Sequence, residues 1–183
     1  ADIAGRTIEE ANADGSFVVA QYGSHGDDPV RVETGSGLVA CYKFDIRGRK
    51  VAEYGTAIQP VCYSYNDANL LTSMTTYRSR GESELDDPSD RTDGDTTSWL
   101  YHEATGLQIQ KNYPDGSVER VSYDGQNRLV ESTDARGIVT TRAYAPLTGD
   151  IVSIEYSDGT PSKEFAYNYL GLLSRVTDES GTR

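Results

Sequence analysis

Carboxylates are the most abundant charged groups of this chain: 29 acids face 17 bases, for a net charge of −12. They are densest around Gly94, where Asp90, Asp93 and Asp95 follow closely on Asp86 and Asp87. Hard oxygens on a glycine turn suit Ca²⁺, although the spacing is not that of an EF-hand loop. The same run, from Glu82 to Ser98, holds almost no large apolar side chain. It cannot bury enough surface to offset its ordering entropy, so the first expectation for 82–98 is an exposed, mobile acidic loop, with calcium at Asp90, Asp93 and Asp95 as the alternative. His25 and His102 are the only histidines, and neither accompanies a Gly-x-Ser-x-Gly or similar nucleophile motif. Both read as surface residues, and the chain reads as a non-enzyme without a cofactor. Trp99 and Tyr101 could form a stacking surface for a sugar ring.

These groups sit on a repeated frame. Tyr123-Asp124-Gly125-Gln126-Asn127-Arg128-Leu129 is one heptad, and Phe44-Asp45-Ile46-Arg47-Gly48-Arg49-Lys50 is a second. Tyr65 and Tyr167 open weaker copies. Tyr101 and Tyr144 open copies looser by one residue, ending at Gly106 and Gly149. Tyr22 has Gly26 four residues on, and Gly5-Arg6 closes a heptad that begins on Ala1. The anchors near 1, 22, 44, 65, 101, 123, 144 and 167 recur every 21 to 23 residues, apart from one interval carrying the acidic insertion. Such a period marks a repeat architecture.

A second turn signal falls inside most units: Asp14-Gly15, Arg80-Gly81, Asp115-Gly116, Arg136-Gly137, Asp158-Gly159 and Ser180-Gly181. Gly35 and Gly37 lie near that place in one unit, and Gln59-Pro60 stands there in another. Asp-Gly between β-patterned runs suggests type I′ hairpins. Ile138–Tyr144 and Ile151–Tyr156 are rich in β-branched and aromatic residues, and no helical stripe is present. The expected fold is all-β: an antiparallel meander of hairpins, two strands per unit and about fifteen in all. Thirteen tyrosines, mostly locked to the repeat, suit a thin single-layer sheet in which the rings form a structural ladder. Gly48 and Asn127 supply the left-handed turn residue, and Arg6, Arg49 and Arg128 are placed to pair with a heptad acid.

The Tyr-Asp-x-x-Gly-Arg-Leu pattern at this spacing resembles the YD repeat of Rhs-family proteins. These include bacterial Rhs and wall-associated proteins, shell subunits of insecticidal toxin complexes, and teneurins. The resemblance covers the whole chain, 1–183, except the insertion. It implies a strip of hairpins wound into a shell around a toxin or other cargo domain, or displayed at a cell surface, and hence a secreted or surface location. The chain lacks the Asp/Pro-rich core motif with which many such proteins close the shell and cut themselves, so no self-cleavage is carried over. A rival expectation is an extracellular module binding carbohydrate or protein through its sheet face, Trp99, or the acidic loop.

The charge excludes the clustered cations needed for nucleic acid, and it disfavours an anionic membrane surface. No apolar run is long enough to span a bilayer, and the chain opens without a signal-peptide pattern. Because the array opens and stops inside a repeat, a longer parent chain is expected, and the strand edges at its ends are expected to recruit other segments or copies. Cys41 and Cys62 each lie three residues before an anchor. Two strands apart at roughly 4.8 Å each puts them about 9.6 Å apart. That exceeds the ~7 Å reach of a disulfide, so two free thiols on one face are expected.

Overall fold

The computed structural model describes residues 1–183 except 12, 14, 24, 25, 80–84, 179, 180 and 183. The expectations for His25, for the turns at Asp14, Arg80-Gly81 and Ser180, and for Glu82 to Glu84 therefore lie outside the described residues. The chain forms two compact units, Ala1–Ser98 and Trp99–Arg183. The first holds β1 (Glu9–Ala11), β2 (Phe17–Tyr22), β3 (Pro29–Thr34), β4 (Val39–Phe44), β5 (Lys50–Tyr54), β6 (Val61–Tyr65) and β7 (Leu71–Thr76), and β8 (Asp95–Tyr101) begins in it. The second holds β9 (Gln108–Asn112), β10 (Val118–Tyr123), β11 (Leu129–Thr133), β12 (Val139–Tyr144), β13 (Ile151–Tyr156), β14 (Lys163–Tyr167), β15 (Leu173–Asp178) and β16 (Gly181–Thr182). Within each unit the strands pair antiparallel in chain order, so the fold is the all-β hairpin meander that the repeat predicts. Among the described residues no helix is long and apolar enough to cross a membrane.

The hairpin turns have a different chemistry from the type I′ expectation. At Tyr113–Ser117, Gly116 N–H donates to the Tyr113 carbonyl at 3.0 Å, and Tyr113 N–H donates to Ser117 at 2.9 Å. Only Gly116, at φ +85°, is left-handed there. This is a three-residue loop: a type I turn that accepts Pro114, followed by one left-handed residue. The heptad turn is the same device. Asn127 N–H reaches the Asp124 carbonyl at 2.9 Å, with Asn127 at φ +62°. The two looser heptads are four-residue loops, closed by Gly106 N–H on His102 O and by Gly149 N–H on Ala145 O. Tyr22, Phe44, Tyr65, Tyr123, Tyr144 and Tyr167 each follow a register shift of the bulge type in the pairing of their strand.

Among the described residues only Val39, Ala40, Cys41, Ala52 and Tyr77 are buried hydrophobics, with Pro60 and Pro88 fully enclosed. Of these, Tyr77 lies under the segment 85–94, whose Pro88 turn packs on β5 and β6. The acidic insertion is thus not a free loop where it is described, and residues 95–98 belong to β8. Pro88–Asp90 forms a single 3₁₀ turn capped by the Asp87 carboxylate and seated against β5 and β6. Tyr77 donates to the Pro88 carbonyl at 3.0 Å, and Lys43 Nζ pairs with Asp87 at 2.9 Å. Arg91 lies 4.6 Å over the Tyr77 ring and donates to the Ser79 carbonyl at 2.9 Å. Burial, and then the neighbouring Cys62 thiol, push the Tyr77 hydroxyl up to about 12. Most of its described residues are exposed, and one aromatic and one proline, supplied with two cations, hold it to the sheet. Both thiols are free, on β4 and β6, with Ala52 and Tyr54 of β5 between them.

This strap gives a direct expectation. Tyr77→Ala removes the ring under Arg91 and opens a cavity costing about 3–5 kcal/mol. Trypsin should then cut after Arg91 much faster than in the parent chain, and unchanged cleavage there would show that the strap is held by something else.

Candidate functional site

The most repeated polar arrangement joins each heptad to the next unit. It starts with the heptad carboxylate. Asp124 Oδ1 accepts the N–H groups of Gln126 and Arg128 at 2.9 and 3.0 Å, while its Oδ2 receives Arg128 Nε and Nη2, both at 2.7 Å. Asp45 holds Arg47 N–H, Arg49 N–H and the Arg49 guanidinium in the same way, and Asp2 holds Ala4, Arg6 and the Arg6 guanidinium. A short carboxylate folded back on its own turn satisfies backbone donors that the type I turn leaves open. The bidentate grip then fixes the plane of the arginine.

The fixed guanidinium lies over the next anchor ring: Arg6 at 4.6 Å from Tyr22, Arg49 at 4.9 Å from Tyr65, and Arg128 at 4.6 Å from Tyr144. The anchor hydroxyl reaches back in turn. Tyr22, Tyr65, Tyr123 and Tyr144 donate to the carbonyls of Thr7, Lys50, Gln108 and Leu129, each fifteen residues earlier, at 2.8–3.0 Å. Tyr167 donates to Ile151, sixteen earlier. Leu129 therefore contributes its carbonyl to the site. Arg49 Nη1 continues to the Asn66 carbonyl at 2.9 Å and Asn69 Oδ1 at 3.1 Å. Arg128 Nη1 is buried without such a partner, facing the longer loop at Gly149.

The other candidates are not gathered into sites. Asp93 is taken by Arg91 at 2.6 Å and Asp95 by Arg78 at 2.9 Å. Among the described residues no three His, Cys, Asp or Glu side chains converge as a metal would require. His102 Nδ1 lies 3.1 Å from Thr105 Oγ1 within its own turn. Trp99 and Tyr101 share one face of β8, both half-buried. The grooves of about 750 and 600 Å³ at other heptad turns are lined by neither. Sequence reasoning missed Asp134, whose Oδ1 caps a second turn through the N–H groups of Arg136 and Ile138 at 2.9 and 3.0 Å. An Asp three residues before the turn glycine was its signal. It also missed the cluster on β4 to β6 in which Lys50 faces the Tyr42 and Tyr63 rings while Glu53 holds both Lys50 and the Tyr63 hydroxyl.

The carboxylate at the base of the clasp carries a pH signature. The Arg128 backbone amide, and next its guanidinium, hold Asp124 below the usual carboxylate range. A folded-state value below the unfolded one contributes stability above the ordinary carboxylate pKa, which is lost as pH falls through the folded value. Asp124→Asn keeps the amide-accepting oxygen and removes the charge. Its urea midpoint should lie below the parent's at neutral pH and converge with it near about pH 2. A gap unchanged by acid would mean that the ion pair is idle.

No protein-family model matches the chain. Its fold is similar to that of part of TcdB2–TccC3 crystallised without the hypervariable C-terminal region, at a TM-score of 0.55 and 17% identity, with 97% of this chain placed on 11% of that one. A second TcdB2–TccC3 structure aligns over 96% of this chain and 12% of that one at 13% identity, with a TM-score of 0.40. The Photorhabdus luminescens Tc holotoxin pore carrying TccC3-D651A aligns over the same shares at 13% identity and 0.34, and neither of these two scores is high enough to add to the argument. What the chain shares with the first is its strip of repeated hairpins, over a small part of a far longer chain.

Proposed function

We propose that this chain is a wall segment of a secreted or surface YD-repeat protein that encloses or displays a toxin or other cargo domain, and that it carries no catalytic residue of its own. The observation behind this is where the heptad groups go. The Asp, Arg and Tyr side chains that would serve a binding site are instead spent on the neighbouring hairpin, at junction after junction. A repeat whose recurring chemistry faces its own neighbours builds a surface rather than an active centre. The TcdB2–TccC3 likeness supports the same reading, since a strip of this kind forms part of that chain. The partners proposed are cargo and other segments of the parent protein.

Electron microscopy of the intact parent protein tests this. The segment is expected within a closed wall, its hairpins in register with those on either side. Finding it as a free appendage, or finding a glycan on a printed panel whose binding is lost in Trp99→Ala, would replace the wall with a recognition module.

A further inference from the structure

One junction in residues 1–98 is built unlike the rest. Tyr22 pairs with Pro29, so the residue just before the second strand, the place held elsewhere by Arg6, Arg49 and Arg128, is Asp28. The next anchor is Phe44, which has no hydroxyl to return to the preceding unit. The ring therefore lacks both clasp partners, and a cavity of about 750 Å³ opens beside it, lined by Gly26, Asp28, Tyr42, Phe44, Asp45 and Ile46. Asp28 is exposed and stands outside every ion pair among the described residues. Asp45 is already turned onto Arg49, and Lys43 at the cavity edge is taken by Asp87. The comparable groove of about 600 Å³ at Tyr123 also has no arginine over its ring, but it keeps the hydroxyl bond and offers no unpaired carboxylate among the described residues. Leu107 occupies the arginine place there, Tyr123 keeps its bond to the Gln108 carbonyl, and the lining Asp124 is paired with Arg128.

We propose that the Phe44 cavity receives a guanidinium from outside the chain: an arginine side chain of a partner protein, lying over the Phe44 ring and paired with Asp28. The chain itself shows the fit, because it lays its own arginine on the equivalent ring three times at 4.6–4.9 Å. A planar, weakly hydrated guanidinium suits an aromatic face and a carboxylate together better than an ammonium does. The net charge of −12 adds a long-range attraction for a basic partner. This inference stands apart from the wall reading and does not need the segment to be part of a shell.

Titration of the full chain with N-acetyl-arginine methylamide, followed by the methyl resonances of Val30 and Ile46, tests it. The neutral citrulline analogue is the control. Saturable shifts are expected with arginine and none with citrulline. Asp28→Asn should weaken the affinity about five-fold. Asp28→Arg combined with Phe44→Tyr should abolish binding, because the chain's own guanidinium then fills the groove as it does at the other junctions. Equal response to citrulline, no response to arginine, an unaffected Asp28→Asn variant, or persistent binding in the double variant would each overturn the proposal.

Discussion

A sheet one layer thick cannot hold its hairpins together by a core, so the bond between consecutive hairpins decides whether the fold exists. Here that bond is the carboxylate-gripped arginine over the next tyrosine, with the tyrosine hydroxyl returned to the earlier unit's backbone. Each component is weak. A net hydrogen bond is worth about 0.5–1.5 kcal/mol, and an exposed cation–π contact roughly 0.5–1. Repetition makes them effective, because the arginine stack recurs at three junctions and the hydroxyl bond at five, and stability accumulates along the array as nearest-neighbour terms.

The one thick place confirms the rule by contrast. Where residues 85–94 fold over β4 to β6, Ala52 is fully buried and Tyr77 nearly so. There the acidic insertion supplies the missing second layer, with Pro88 as its wedge and Lys43 and Arg91 neutralising its charge. Gly94 is part of the same fit, since a Cβ at that position would meet the Thr75 methyl and the Tyr77 ring.

Much of this was legible in the residues. The anchors, the two turns per unit and even the one-residue looseness at Tyr101 and Tyr144 are periodic in sequence, and each corresponds to a strand end or a loop of the matching length. Local turn chemistry was read less well. Asp-Gly suits several turn types, and only the hydrogen bonds at Tyr113–Ser117 distinguish the three-residue loop from type I′. The strap's partners were not legible, because composition counts charges without pairing them, and Lys43 lies more than forty residues from Asp87. The clasp was half visible: Arg128 suggests an acid nearby, but its stacking on Tyr144 joins two strands next to a register shift that no spacing reveals.

The central claim is that consecutive hairpins are coupled through this clasp rather than merely adjacent. A double-mutant cycle on Arg128→Leu and Tyr144→Leu, read by urea unfolding, addresses it most directly. The account predicts a favourable coupling of about 0.5–1 kcal/mol between the two sites. Strict additivity would mean that the guanidinium and the ring share a position but no energy, and the hairpins would then need another source of register.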